Sequence, residues 1–308
     1  MSDQETKKSW DLGGILDWST GYLAEKGFEN PRLNVEWLLC YALNCKRIDL
    51  YAEYDRPLSK SEIDKFKSLL LRRVGHEPLQ YIAGSTEFMG LPFEVTTDVL
   101  IPRPDTECLV EATLEICKSI KESPVRILDI GTGSGAVAIS VAYYLRKYSI
   151  PFAVTALDIS GKAIAIAKKN SEKILGESGI SFVEGNILDV NSAHELFHSF
   201  DVIVSNPPYV SDKEYEVLPA EVKEHEPAIA LKAKEDGLEF YKRIAERAKD
   251  FFHSNLSKKH VILEVAFDQA PQVRSVLVEK GFDVTFYKDY QRIDRVVCGS
   301  LSYYEVIE

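Results

Sequence analysis

The sequence predicts an α/β protein in which a small helical bundle precedes a mostly parallel, doubly wound sheet. From residue 125 onward, apolar segments with strand-like and helix-like periods alternate, whereas the first 84 residues show only the helical period. The chain has 308 residues, 45% hydrophobic and 28% charged, which is the composition of an ordinary globular protein. This length exceeds one typical domain, so we expect two domains.

Residues 1–84 are predicted to form a helical substrate-recognition domain. Their apolar residues recur at helical spacing in three stretches: residues 12–23, 33–42 and 63–70. Asn30-Pro31 and either Ser59 or Ser61 are typical helix starts. A strand-like pattern around Gly90-Leu91-Pro92 predicts that residues 85–104 form a β-hairpin linker.

Residues 105–308 are predicted to be the catalytic domain. Strands are expected at residues 126–129, 152–158, 181–184, 201–205, 260–265, 283–287 and 295–298, the last extending towards Ile307. Helices are expected near residues 134–147, 160–174, 238–253 and 268–280. Such alternation is typical of a parallel sheet covered on both faces. The last two of the seven strands have no helix between them, which predicts a C-terminal antiparallel hairpin.

Composition excludes several classes of protein. The net charge is −11, and where basic residues cluster they form no more than pairs, such as Arg72-Arg73. We therefore expect no stable direct binding to nucleic acid. No apolar segment is long enough to span a bilayer and the N-terminus has no signal-peptide core, which predicts a cytoplasmic protein without membrane contact. The five cysteines include no C-x-x-C pair, so neither a disulfide framework nor a thiolate metal site is indicated.

A glycine-rich loop follows the first predicted strand of the sheet. Glycines let a ligand approach the backbone, and a carboxylate at the end of the second strand, here Asp158, can hold both hydroxyls of a ribose. A nucleoside pocket is therefore predicted at Asp158 and the loop residues Gly131, Thr132, Gly133, Ser134 and Gly135. The spacing Gly131-x-Gly133-x-x-Ala136 also satisfies the looser dinucleotide fingerprint, so an NAD-linked oxidoreductase is an alternative.

Asp129 favours S-adenosylmethionine as the nucleoside. A carboxylate ahead of the loop repels a pyrophosphate and attracts the ammonium group of a methionine. Asn186, after the third strand, is expected to contact the adenine amino group through its side-chain oxygen, and Ile187 beside it completes the predicted cofactor contacts. S-adenosylhomocysteine is then the product.

Asn206-Pro207-Pro208-Tyr209 follows the fourth strand of the sheet, where α/β enzymes place their chemistry. Two prolines fix two φ angles and remove two N–H donors, so the carbonyl groups of this segment can face a ligand. A planar NH2 group donates two hydrogen bonds, which Asn206 Oδ1 and the Pro207 carbonyl accept while the Tyr209 ring stacks on the plane. We predict that Asn206, Pro207 and Tyr209 are catalytic, although an ordinary Pro-Pro turn is the simpler interpretation of the tetrapeptide alone.

Two further segments each have more than one interpretation. Arg103 lies in Ile101-Pro102-Arg103-Pro104-Asp105-Thr106-Glu107, which either lines the active site or begins a helix capped by Asp105 or Thr106. His194-Glu195-Leu196-Phe197-His198 matches the metalloprotease pattern H-E-x-x-H, but its connector is too short for a stable helix and an open cleft. We expect a short surface helix there and no metal.

With these residues assembled, the chain resembles the PrmC/HemK family of protein glutamine methyltransferases over nearly its whole length. The matching segments are Glu77 to Gly84, Glu87 to Gly90, Val99 to Glu107, Leu128 to Ala136, Ala156 to Ser160, Asn206 to Tyr209, Glu226-Pro227, Ala230-Leu231 and Asp236 to Leu238. Lys232-Ala233, Ala266, Arg292 and Asn186 depart from the residues usual in the family.

The resemblance implies a class I (Rossmann-like) methyltransferase fold. It implies methyl transfer from S-adenosylmethionine to the glutamine of the Gly-Gly-Gln motif in class 1 peptide release factors. Asn206 would contact both cofactor and substrate, and Pro207, Pro208, Tyr209 and Arg103 would contact the substrate. Three alternatives stay open: a sibling family that methylates a ribosomal protein, an adenine amino methyltransferase on DNA or RNA, and a cofactor-binding protein without catalysis.

Overall fold

The computed structural model describes residues 10–121, 123–176, 179–189, 194–234, 236–253 and 258–302. The chain divides into two compact units. One contains the residues up to Gly84 together with Ala220–His225, and the other contains Ser85–Pro219 and the residues from Glu226 onward.

The first unit is a helical bundle. Its helices are α1 (Leu12–Glu25), α2 (Pro31–Leu43), α3 (Arg47–Ala52), α4 (Lys60–Val74), α5 (Leu79–Ala83) and α10 (Ala220–His225). Ser59 begins α4 through a capping box, because its hydroxyl accepts from Glu62 N while the Glu62 carboxylate accepts from Ser59 N. Asn30 precedes α2 in a left-handed conformation without a side-chain cap, so only its Pro31 acts as the sequence indicates.

Arg73 attaches α10 to the rest of the helical unit. Its buried guanidinium donates to Asn34 Oδ1 on α2 at 2.7 Å and to Glu221 Oε2 on α10 at 2.7 Å. His225, at the end of α10, lies 3.0 Å from the Gly75 carbonyl. No pattern in the sequence predicts α10, because its six residues are too few to show a helical period.

The second unit begins with the predicted hairpin, formed by β1 (Ser85–Phe88) and β2 (Leu91–Glu94). The turn lies at Met89 and Gly90, which have φ angles of 52° and 69°, and not at Gly90-Leu91-Pro92. Pro92 instead pairs with Glu87 inside the two-stranded sheet. Both strands of a two-stranded sheet are edge strands, so a proline, which has no N–H to donate, can be accommodated there.

A seven-stranded sheet forms the centre of the second unit, with strand order β5-β4-β3-β6-β7-β9-β8. The strands are β3 (Val125–Ile130), β4 (Phe152–Asp158), β5 (Ile180–Glu184), β6 (Val202–Ser205), β7 (Lys259–Glu264), β8 (Asp283–Lys288) and β9 (Asp294–Leu301). The first five are parallel, and β9 is antiparallel to both of its neighbours. This confirms the predicted sheet with its C-terminal antiparallel hairpin; the extension expected towards Ile307 lies outside the described residues.

Helices cover both faces of this sheet. They are α6 (Glu107–Ser119), α7 (Ala136–Lys147), α8 (Gly161–Leu175), α11 (Glu239–Phe251) and α12 (Ala270–Glu279), while the short helix α9 (Asp212–Glu216) has no buried residue. One apolar cluster packs α6 and α7 against the sheet through residues such as Leu109 and Ile139, and a second packs α11 and α12 through Tyr241 and Val273. The strand order reverses at β3, so a crevice opens where β3 and β6 end side by side.

Candidate active site

An open cleft with a volume of about 200 Å³ lies at the carboxyl ends of β3, β4, β5 and β6. Of the predicted site residues, eight line it: Gly131, Gly133, Asp158, Asn186, Ile187, Asn206, Pro207 and Pro208. Asp129, Thr132, Ser134, Gly135, Tyr209 and Arg103 do not form its wall.

The glycine loop is fastened to the end of β4. The backbone N–H groups of Gly131 and Thr132 both donate to the Leu157 carbonyl, at 2.8 and 3.0 Å. Asp158, the next residue, accepts from Gly133 N at 2.8 Å and from Ser160 N at 2.9 Å. These bonds hold the Asp158 carboxyl at the edge of the cleft. Burial raises the pKa of this carboxyl.

Asp129 lies beneath the glycine loop. It is 1% exposed, and its Oδ2 accepts from Thr132 Oγ1 at 2.7 Å and from Ala138 N, in the first turn of α7, at 3.2 Å. Burial raises the pKa of Asp129 to about 7. In the structure Asp129 therefore shapes the loop from below, and its contact with a methionine ammonium stays a prediction.

Two predicted loop residues, Ser134 and Gly135, make contacts within the protein. A Cβ at Gly135 would lie 2.6 Å from Ile139 Cδ1 and 3.2 Å from Ala167 Cβ, so this glycine permits close packing of α7 on α8. The Ser134 carbonyl accepts from Asn170 Nδ2 at 2.9 Å, and the same amide group pairs with the backbone of Glu94 at the end of β2. Asn170 thus ties the hairpin to the glycine loop; it was not foreseen, because a lone asparagine in an amphipathic helix carries no distinguishing pattern.

Asn186 and Ile187 form the wall of the cleft after β5. Asn186 Oδ1 accepts from Leu188 N at 2.9 Å, which orients the side chain by a local turn. The contact of Asn186 with an adenine amino group stays a prediction. The buried Ile187 side chain adds an apolar surface beside it.

Asn206 leaves the sheet directly beside Gly131. The register pairs Ile130 with Ser205, and Ser205 Oγ donates to the Ile130 carbonyl at 2.6 Å. Asn206 Nδ2 donates to Thr106 Oγ1 at 3.1 Å, so one of the two amide hydrogens is bound within the protein. Residues Asn206 to Tyr209 form the Asn206 corner, of which Asn206, Pro207 and Pro208 line the cleft. That Asn206 Oδ1 and the Pro207 carbonyl accept from a substrate stays a prediction.

Tyr209 packs against the second apolar cluster and away from the wall of the cleft. Burial raises the pKa of its phenol to about 12. Its backbone carbonyl accepts from Gln269 Nε2 at 3.2 Å, and the chain crosses this carbonyl at Gly237, where an added Cβ would be only 2.4 Å from the oxygen. Stacking of the ring on a substrate amide stays a prediction.

Arg103 forms an ion pair with Glu226, in which Arg103 Nη2 lies 2.5 Å from Glu226 Oε1. The Glu226 side chain is buried while that of Arg103 is partly exposed, so the pair joins two loops near the cleft. Thr106 lies at the start of α6 but makes no side-chain cap, and its hydroxyl serves Asn206 instead. Helix capping by Thr106 is therefore wrong, and a substrate contact of Arg103 stays a prediction.

The segment His194–His198, which matches H-E-x-x-H, does not form an α-helix. Residues His194–Leu196 make one 3-10 turn, and His198 has a φ of 54°, so the two imidazoles are not placed four residues apart on a helix. Across the described ranges, no group of three or more His, Cys, Asp or Glu side chains is arranged to hold a metal ion. No helix of the described residues has the length and apolarity to cross a membrane.

Several cleft residues were not predicted as site residues. They come from the loop before α6 and from the segments before and within α11: Asp98, Val99, Leu100, Pro227, Ile229, Ala230 and Phe240. Four of them lie in segments that the family resemblance had already singled out, which was the signal available: Val99, Leu100, Pro227 and Ala230. The others have no local pattern that places them near β3.

Comparison with known proteins identifies the family. The PrmC N-terminal domain family matches residues 14–84, and a methyltransferase domain family matches residues 121–236. The release factor glutamine methyltransferase of Geobacter sulfurreducens is 39% identical over 300 residues, which cover 96% of this chain and 99% of that protein. That of Bacillus subtilis is 36% identical over 92% of this chain and 96% of its own.

A solved structure is also similar in sequence. The crystal structure of a release factor-specific protein-(glutamine-N5) methyltransferase from Alicyclobacillus acidocaldarius is 31% identical, covers 68% of this chain and 100% of its own, and has a TM-score of 0.41. Because the identity to the two curated relatives extends over almost the whole length of both partners, this chain belongs to the release factor glutamine methyltransferase family.

Proposed function

We propose that this protein transfers a methyl group from S-adenosylmethionine to the side-chain amide nitrogen of the glutamine in the Gly-Gly-Gln motif of class 1 release factors. The observation that supports this most is the fixed orientation of Asn206, whose donor side is bound to Thr106 while the residue lines the cleft. Its relatives' names supply the substrate. A cytoplasmic location follows from the proposal, because translation takes place there.

The cleft fits S-adenosylmethionine in its chemistry. Asp158 would hold the ribose hydroxyls, the backbone of Gly131 and Gly133 would lie against the methionine portion, and Asn186 with Ile187 would contact the adenine. When bound, this cofactor supplies a methyl group activated by a sulfonium. The NAD-linked alternative is disfavoured, because the relatives that match almost the whole of this chain are named release factor glutamine methyltransferases.

The Asn206 corner would orient the glutamine amide. A neutral amide nitrogen is a poor nucleophile, because its lone pair is conjugated with the carbonyl group. Hydrogen bonds from the substrate NH2 to Asn206 Oδ1 and to the Pro207 carbonyl align the nitrogen with the methyl group. They also strengthen as the nitrogen becomes positive, which lowers the barrier rather than only improving binding. The nitrogen then releases a proton to solvent.

The helical unit is proposed to recognise the protein substrate. It exposes large apolar side chains, among them Trp37 at 58% and Ile48 at 68%, which a folded protein partner would cover. A short glutamine peptide cannot reach such a surface, so recognition of this kind lowers KM for a whole release factor and not for the peptide.

The decisive experiment is methyl transfer by Asn206→Ala. We expect transfer to a release factor to be lost while calorimetry shows cofactor affinity retained, since the ribose and adenine contacts are untouched. Mass spectrometry locates the methyl group, and a factor carrying Gly-Gly-Ala is the matched substrate control. Ribosomal proteins, DNA and RNA are tested as acceptors in the same assay. Methylation of one of these instead of the factor, or loss of cofactor affinity in step with turnover, contradicts the proposal.

A further inference from the structure

Two large side chains that the proposed reaction does not use are exposed at the carboxyl edge of the parallel strands. Phe267 is 69% exposed and lies between β7 and α12, and Tyr290 is 88% exposed and lies in the turn between β8 and β9. β9 is antiparallel to β7, and Val265 N donates to the Arg295 carbonyl at 2.9 Å. The turn of Tyr290 therefore lies at the same edge as the end of β7, which is also the edge where the cleft opens.

The loop of Phe267 is bound to the Asn206 corner. Gln269, two residues after Phe267, is buried, and its Nε2 donates to the Tyr209 carbonyl at 3.2 Å. The backbone N–H of Gln269 donates to the Ala266 carbonyl at 3.1 Å, which closes a tight turn around Phe267. The backbone of the loop is thus held beside the corner, while the phenyl ring remains exposed.

Ion pairs and a hydrogen bond hold the turn of Tyr290. Arg295 Nε on β9 lies 3.0 Å from Asp289 Oδ2 in the turn, and Arg295 Nη2 lies 2.9 Å from Asp105 Oδ2 in the segment before α6. Tyr290 Oη donates to Glu111 Oε1 on α6 at 3.1 Å. A ring that is already held in this way loses little conformational freedom when a partner covers it.

The order of the strands indicates from which side a substrate reaches the corner. β5, β4 and β3 lie on one side of β6, and β7 and β9 lie on the other. Asp158 at the end of β4 and Asn186 after β5 are the proposed ribose and adenine contacts, so the cofactor would occupy the first side. A polypeptide whose glutamine reaches Asn206 from the second side crosses the ends of β7 and β9, where Phe267 and Tyr290 lie.

The charges around the two rings favour a basic partner. The segments 103–111, 265–269 and 289–293 contain five acidic and two basic residues, which gives them a net charge of −3. Asp105, Glu111 and Asp268 are exposed among them. Carboxylates beside aromatic rings attract lysine and arginine side chains, whose ammonium or guanidinium groups also bind to the faces of the rings.

We propose that Phe267 and Tyr290 form a docking surface for a basic segment of the substrate protein that flanks the methylated glutamine, an inference that rests on the function proposed above. The two rings cover apolar side chains and the aliphatic parts of lysine and arginine, and the surrounding carboxylates bind their charged ends. This surface belongs to the catalytic unit and is separate from the apolar side chains of the helical unit. A short peptide around the glutamine can therefore reach it.

The test measures binding of two fluorescent peptides to the full chain saturated with S-adenosylhomocysteine. Both contain Gly-Gly-Gln, which is flanked by lysine and leucine in one and by glutamate and leucine in the other. We expect fluorescence anisotropy to give a Kd at least about tenfold lower for the basic peptide, and at least about threefold weaker binding of it at 0.2 M than at 0.05 M salt. In the double variant Phe267→Ala/Tyr290→Ala, the Kd of the basic peptide should rise about tenfold while cofactor affinity stays within about twofold.

Tyr148→Ala is the matched control, since it removes an exposed ring at the opposite edge of the sheet. Tyr148 follows α7 and lies near Pro151, whose carbonyl accepts from Val125 N at the start of β3. Its Kd for the basic peptide should equal that of wild type.

The binding measurement separates this inference from the proposed function. If the wild type binds the basic peptide but methylates no release factor, the proposed function fails and the docking surface stands. An unchanged Kd in the double variant, an equal rise in Tyr148→Ala, a preference for the acidic peptide, or no binding of either peptide overturns the docking surface.

Discussion

Gly237 is expected to determine the position of the Asn206 corner. The chain crosses the Tyr209 carbonyl at this residue, with a φ of +76°. A Cβ added there would lie 2.4 Å from the Tyr209 oxygen and 2.6 Å from Gln269 Nε2. The glutamine side chain can move, but the oxygen belongs to the backbone of the corner itself.

Two costs of Gly237→Ala add together. The left-handed conformation costs a residue with a Cβ about 1–2 kcal/mol, and forcing an atom into a packed position costs about 1–3 kcal/mol. We expect the free energy of unfolding to fall by about 2–5 kcal/mol. Relief of the contact to the ordinary 3.4 Å requires a shift of about 1 Å. A displacement of this size at a catalytic group lowers kcat about 100-fold.

Gly90→Ala is the matched control. Gly90 has a φ of +69° and no atom within 4 Å of an added Cβ, so it carries the conformational cost without the collision. Urea unfolding followed by circular dichroism, together with kcat at saturating substrates, is measured for both variants. Equal losses of stability, with wild-type turnover in Gly237→Ala, would refute the reasoning that this crossing positions the corner.

Two further predictions concern buried charges. Lys259 Nζ lies 2.7 Å from Asp201 Oδ1, and both side chains are fully buried. Lys259→Met should therefore lower the free energy of unfolding, measured in urea, by about 3–5 kcal/mol. The control Lys162→Met removes an exposed ion pair with Asp98 and should lower it by less than about 1 kcal/mol. Equal costs would contradict this. The pKa of Asp129 is raised to about 7, so the folded protein retains a proton that the unfolded chain releases above about pH 4. The free energy of unfolding should therefore fall as pH rises from about 4 to about 7. The urea midpoint of Asp129→Asn should fall less over that range, and parallel curves would argue against the assignment.

The sequence predicted the fold because each strand of the sheet is a local apolar pattern. The predicted segments 152–158 and 283–287 agree with β4 and β8 to within one residue. The C-terminal antiparallel hairpin also followed, since the final two strands lacked a helix between them. Asn206 and the glycine loop could be placed together because β3 and β6 are adjacent in such a sheet.

The supports of the site could not be predicted in the same way. Thr106 lies 100 residues from Asn206, and Arg103 lies 123 residues from Glu226. A hydrogen bond between residues this far apart depends on how loops pack after the sheet has formed, and neither partner shows a local pattern. Asn170 is similar, because a buried asparagine and a solvated one look alike in an amphipathic helix.

The Asn206 corner is held from several independent directions. Ser205 binds it to the end of β3, Thr106 binds the Asn206 amide, and Gln269 binds the Tyr209 carbonyl. A weak nucleophile needs acceptors that are already oriented, because reorganisation during the reaction would cancel the electrostatic gain. The tetrapeptide alone is therefore insufficient for the activity: a chain that kept Asn206 to Tyr209 but lost these supports would retain the motif and lose the fixed geometry on which the transfer depends.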